Sequence, residues 1–117
     1  MTAARMCSPS LLEQHPDSKV RVFAVWEPID WGAPTTSALH RLSDRRVAQF
    51  WDKEHLLAKV MAESRDPQSK PDCCNRHGIL WDLIGVYPAG TLWDQSLPPA
   101  TVFNGPVVRV VAGTKIL

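Results

Sequence analysis

The sequence predicts a mixed α/β domain, with helices packed on a mixed sheet, and three stretches carry that expectation. In Lys19 to Trp26, KVRVFAVW, both faces are apolar after Arg21, which is the habit of strands covered on both sides in parallel sheets. Leu56, Leu57, Val60 and Met61 form an apolar stripe at helical spacing. Ile79 to Tyr87, ILWDLIGVY, reads as a strand that runs into a Tyr87-Pro88-Ala89-Gly90 turn with proline at its second position. A chain of 117 residues has room for a single core, so residues 1–117 are expected to form one domain.

Taken in order, Ser8-Pro9-Ser10-Leu11-Leu12-Glu13 has the features of a short helix start, and Pro16-Asp17 ends it; residues 1–18 are a brief helix and lead-in. After the strand, Glu27 to Pro34 is a loop marked by Pro28, Gly32 and Pro34. Thr35 to Leu42 places Ala38, Leu39 and Leu42 at helical spacing. Arg45 to Trp51 fits a helix through Val47, Phe50 and Trp51 and a strand through its VAQFW content. Asp52 resembles the N-cap of the helix that carries the Leu56 stripe. Arg65 to Arg76, polar with two prolines, is an exposed connection, residues 65–77 in all. Val102 to Asn104 and Val107 to Ala112 read as a terminal hairpin around Asn104-Gly105, wider than a two-residue turn because Pro106 lacks an N–H. The Trp-Asp pairs at Trp51, Trp81 and Trp93 are unevenly spaced, so no repeat is present.

Charge narrows the functional classes. With 13 Lys plus Arg against 12 Asp plus Glu, the surface has no bias toward phosphate backbones or anionic lipid, so no nucleic-acid partner is expected. Arg41, Arg45 and Arg46 read as a solvated helix end rather than a phosphate site, since no Gly-rich loop accompanies them. No apolar run reaches membrane-spanning length, and Met1 to Ser10 lacks the apolar middle of a secretion signal. A soluble, cytoplasmic protein follows, in which Cys7, Cys73 and Cys74 should be free thiols. The adjacent Cys73 and Cys74, with Arg76 and His77 close behind, are weighed as a redox or soft-metal site. They fall short of the four spaced ligands of a closed zinc site, and no metal is expected.

Catalytic signatures are missing. His15, His40, His55 and His77 lie in no hydrolase motif, and neighbours Glu54 and His55 point apart on a helix. Without a Walker loop or dinucleotide fingerprint, no cofactor is expected and no catalytic residue is assigned. The density of rings gives the candidate ligand site instead. Trp26, Trp81, Tyr87 and Trp93, with Asp82 or Glu27 as polar contact, suit a partly open pocket for a flat or cationic small molecule. The competing arrangement is a dry core in which Asp82 accepts hydrogen bonds from a backbone turn, Arg21 or Arg109.

The order of KVRVFAVWEP, a loop with Asp30, RRVAQFWD, a helix and ILWDLIGVYPAGTLWD resembles the later half of bacterial thioredoxin-like proteins, over roughly Lys19 to Val111. The resemblance implies a thioredoxin-like sheet, or a truncated variant, with VRVFAVW central and GPVVRVV in an edge hairpin. The chain departs from that family where its chemistry resides: Cys7-Ser8-Pro9-Ser10 is no C-x-x-C, and no counterpart of the family's cis-proline stands beside Ile79. The resulting expectation is a small binding or interaction module without redox catalysis, more a non-enzyme than an enzyme. The alternatives are an atypical thiol protein, exchanging thiols or capturing soft metal through Cys7 or the Cys73/Cys74 pair, and an enzyme centred on the Trp-rich region. If the family's opening strand is missing, the bared sheet edge implies a homodimer, with VVRVVAG and the N-terminal helix as contact elements.

Overall fold

Richness in β-branched and aromatic residues makes a strand of Val22–Trp26 (β1), and the ambiguous VAQFW segment resolves as a second strand, Val47–Trp51 (β2). They pair in parallel, Val22 opposite Val47 through Trp26 opposite Trp51, around a connection that contains the helix Thr36–His40 (α1). The computed structural model describes residues 11–28, 35–40, 42–64 and 66–117; Cys7, the Ser8–Ser10 helix start, Asp30, Gly32, Pro34, Arg41 and Arg65 lie outside them. Residues 11–14 form a helical turn before Pro16.

By contact the chain divides into two units, Met1–Glu54 with Lys115–Leu117, and His55–Thr114. In the first, the face of β1 bearing Val22, Ala24 and Trp26 is half-buried, and Leu12 and Leu42 are buried. The opposite face is not covered as the sequence led us to expect. Phe23 is 62% exposed and Phe50 52%, with their ring centroids 6.3 Å apart.

The second unit starts with the Leu56–Ala62 helix (α2), whose N-cap is His55 in the left-handed region rather than Asp52. A 3-10 turn, Pro67–Ser69, precedes a short hairpin of Asn75–Arg76 (β3) and Ile79–Leu80 (β4). Its link is His77-Gly78, at φ 54° and 82°, and positive φ at both central residues is what a tight type I′ connection needs. The expected strand from Ile79 to Tyr87 is therefore two strands, broken at Asp82, where φ is 50°. Ile84–Val86 (β5) then pairs antiparallel with Val102–Asn104 (β6). Leu80, Ala100 and Phe103 form the core of this unit, with Met61, Ala62, Leu83, Tyr87 and Leu97 packed against them.

Val107–Gly113 is a helix (α3), not the second arm of a hairpin. Its valines obey helical spacing: Val107 and Val110 are buried while Val108 and Arg109 are exposed. Pro106 stands at its N-cap, where a missing N–H costs nothing. The class is thus mixed α and β, but the described strands form three two-stranded sheets and not one. No helix among the described residues is long and apolar enough to cross a membrane.

Candidate functional site

The densest chemistry of the second unit gathers where the Pro71–Asp82 segment meets the β6–α3 junction. Cys73 and Cys74 are joined by a disulfide, which corrects the expectation of free thiols at these positions. Side chains of consecutive residues diverge in an extended strand, but here the chain turns, with Cys74 at φ 69°. The bonded sulfurs lie against Gly105, which is buried. A Cβ at Gly105 would stand 2.9 Å from Cys74 Sγ and 3.4 Å from Cys73 Sγ, and closer still to the Asp82 carbonyl oxygen. Only glycine fits that approach.

Asp82, the polar residue that interrupts an apolar run, finds its partner in the backbone. Its Oδ1 accepts the Val107 N–H at 3.2 Å, so a carboxylate from another element meets the start of α3 that Pro106 cannot cap with a side chain. Of the partners weighed for Asp82, backbone N–H is the one observed; neither Arg21 nor Arg109 is needed. Trp81 donates its backbone N–H to the Cys74 carbonyl at 2.9 Å, and the Arg76 guanidinium stands 5.9 Å from its ring centroid. Trp81 and Trp93 are both surface rings, 36% and 47% exposed.

Tyr87 packs on the Leu80–Phe103 core, and its ring so closely covers Gly85 that a Cβ there would lie 3.1 Å from the hydroxyl oxygen. That oxygen is buried and has no hydrogen-bond partner among the described residues, and burial raises the phenol pKa, with the Asp66 charge adding to it. Trp26 and Glu27 belong to the first unit, both half-buried. The Trp26 indole N–H donates to Gln49 Oε1 at 2.8 Å, and Gln49 Nε2 donates to the Leu39 carbonyl at 2.9 Å, so the ring is tied to the β1–β2 pair and to α1. Among the described residues the ring–ring contact is Phe23–Phe50, and Trp81, Tyr87 and Trp93 do not stack on one another.

The basic cluster has a use that the sequence hid. Arg46, at 14% side-chain exposure, spends all five guanidinium donors within the first unit: on the carbonyls of Leu12, His15 and Ser18 and on both oxygens of Asp44. The side-chain bond from Arg46, then its backbone N–H, pull the Asp44 carboxyl from 3.8 down to about 2. Arg46 is therefore a structural cation, not a solvated helix end, and it has no donor left for a phosphate. Open depressions of this unit are lined by Leu12, Glu13, Pro16, Asp44 and Arg45–Arg46, and by Pro16–Arg21 with Arg45–Arg46; neither includes Trp26 or Glu27. No group of three or more His, Cys, Asp or Glu is gathered for a metal among the described residues.

The sequence marks Arg76 only as a cation beside the cysteines, and it does not show that its guanidinium stands over Trp81. Asn104-Gly105 stood out as a turn signal, but its role as a seat for sulfur depends on a contact with residues far back in the chain. No protein-family model matches the chain, no curated protein matches its sequence, and no solved structure matches it.

Proposed function

We propose that the chain is a small cytoplasmic binding module without redox catalysis, and that its second unit offers a flat ligand the exposed surface of Trp81. The observation that carries this reading is the Arg76–Trp81 pair: the ring is held on a short hairpin, backed by a guanidinium, and still 36% exposed. Of the two ligand types the rings suggested, the flat one is favoured over the cationic one. Arg76 already stands in the cation position, and Asp82 Oδ1 is engaged by Val107. Titration with planar aromatic carboxylates and with quaternary ammonium ions tests this. The expected result is saturable quenching and a raised melting temperature with the former, lost in Trp81→Ala. No response to either class, or an unchanged response in Trp81→Ala, would overturn it.

The resemblance to thioredoxin-like proteins is part of the same proposal, and what supports it is the parallel pairing of the KVRVFAVW strand with the VAQFW strand around a helix. A homodimer is proposed as well. VVRVVAG is a helix and so offers no strand to a partner; the exposed Phe23, Val25 and Phe50 face of β1–β2 is the better contact, because parallel strands are ordinarily covered on both faces. Light scattering that gives a monomer mass across micromolar concentrations would exclude it.

A further inference from the structure

We infer that the Cys73–Cys74 bond is a thiol–disulfide exchange site whose reaction partner is a dithiol, and that its opening releases the Asp72–Asp82 segment from Gly105. This goes beyond ligand binding and does not depend on it: the protein is here the species modified, not a catalyst turning over a substrate. Cys73 and Cys74 are half-buried residues rather than enclosed ones, and attack on one of their sulfurs needs such partial access. The dithiol's first thiolate bonds to that sulfur as the Cys73–Cys74 bond breaks, and the electron pair left on the departing sulfur takes a proton from solvent. The dithiol's second thiolate then attacks its own sulfur in the mixed disulfide. It leaves as a cyclic disulfide, and the second cysteine is freed as a thiol. Two electrons and two protons have passed from the dithiol to the pair.

What makes the exchange consequential is the seat. Bonded sulfurs occupy less room than two thiols, which must stand at van der Waals contact and each carry a proton. At Gly105 there is no space to give, since even a methyl group would meet Cys74 Sγ at 2.9 Å and the Asp82 carbonyl closer. The opened pair must therefore back away from Gly105. The same segment holds Asp72 against Asn104, the Cys74 carbonyl against the Trp81 N–H, and Asp82 against the start of α3. These contacts move together. In the cytoplasm proposed above, disulfides are usually transient and redox-sensing rather than permanent braces, which suits a bond made to open.

The test uses the whole chain. Protein purified without added thiol or disulfide is labelled with iodoacetamide before and after dithiothreitol, and tryptic peptides are weighed. The expected result is one labelled cysteine, Cys7, before reduction and all three after it, with the unreduced peptide spanning Asp66 to Arg76 lighter by two hydrogens. Reduction should also hasten amide exchange in residues 72–82 and shift Trp emission, a shift lost in Trp81→Phe. The Cys73→Ser/Cys74→Ser variant should match the reduced form; should it fail to fold, reduction of the native chain gives the same readings. Labelling of all three cysteines in the unreduced protein would overturn the site. Exchange and emission unchanged by reduction would overturn the release from Gly105.

Discussion

Asn104 holds Asp72 with both ends of its amide: Oδ1 accepts the Asp72 backbone N–H at 3.0 Å, and Nδ2 donates to Asp72 Oδ2 at 3.1 Å. Oδ1 also accepts the Gly105 N–H at 2.9 Å, so one side chain positions both the approach to the cysteine pair and the glycine beneath it. Asn104→Ala should cost about 1 kcal/mol in urea melts, the worth of partly solvated hydrogen bonds. Its sharper signature is faster amide exchange at Asp72 and Gly105 than at the α2 helix. Equal acceleration everywhere would show that the clasp has no local effect.

Asp82 gives a second expectation, because its charge and its backbone act separately. Asp82→Ala removes the acceptor for Val107 N–H and keeps a Cβ at φ 50°, so a loss of about 1–2 kcal/mol is expected. Asp82→Asn keeps an acceptor and tolerates the left-handed region, and should lose less than half as much. Chemical denaturation of the two variants side by side decides the matter.

The Asp44–Arg46 fork sets an acid limit. Asp44 titrates at about 2 in the folded chain and near 3.8 when free, so it contributes fully above pH 4 and its contribution is lost as the pH falls toward 2. Thermal melts of the native chain should lose stability through that window, and Asp44→Asn should flatten this part of the profile. Arg46→Lys should lower the melting temperature at neutral pH, since an ammonium group cannot serve three carbonyls and a bidentate carboxylate at once.

Tyr87 adds an expectation at the alkaline end. Its phenol pKa is raised by burial, so the folded state keeps the proton longer than the unfolded one; the contribution of Tyr87 is complete below pH 10 and is lost as the pH rises beyond it. Tyr87→Phe removes a buried oxygen with no partner among the described residues, and should leave stability unchanged or raise it by about 1 kcal/mol. The alkaline loss should shrink in the same variant, as pH-jump fluorescence would report.

Much of the local structure was legible where one period dominated. KVRVFAVW is dense in β-branched and aromatic residues on both faces and holds a strand; the Leu56 stripe repeats at helical spacing and is a helix, though its start at His55 rests on a left-handed residue that no propensity marks. VVRVVAG was misread for a physical reason. Branching at Cβ favours a strand, while the buried positions 107 and 110 follow a helix, and Pro106 with the distant Asp82 carboxylate decides for the helix. The hairpin at His77-Gly78 was readable in retrospect from its glycine, but the polar run before it reads as plain loop. Of the candidate ring site, the residue types were legible and their surroundings were not: the Gln49 acceptor for Trp26 and the Arg76 cation over Trp81 come from pairings that a linear reading does not reveal.

Arg46 grips the segment from Leu12 to Ser18 through carbonyl oxygens alone, and every residue type carries one. The side chains at His15 and Ser18 are thus irrelevant to the grip, whereas Asp44 and Arg46 are held to their identities by the fork between them. Among descendants of this chain, His15 and Ser18 should drift freely while an aspartate and an arginine, two apart, persist just ahead of the second strand.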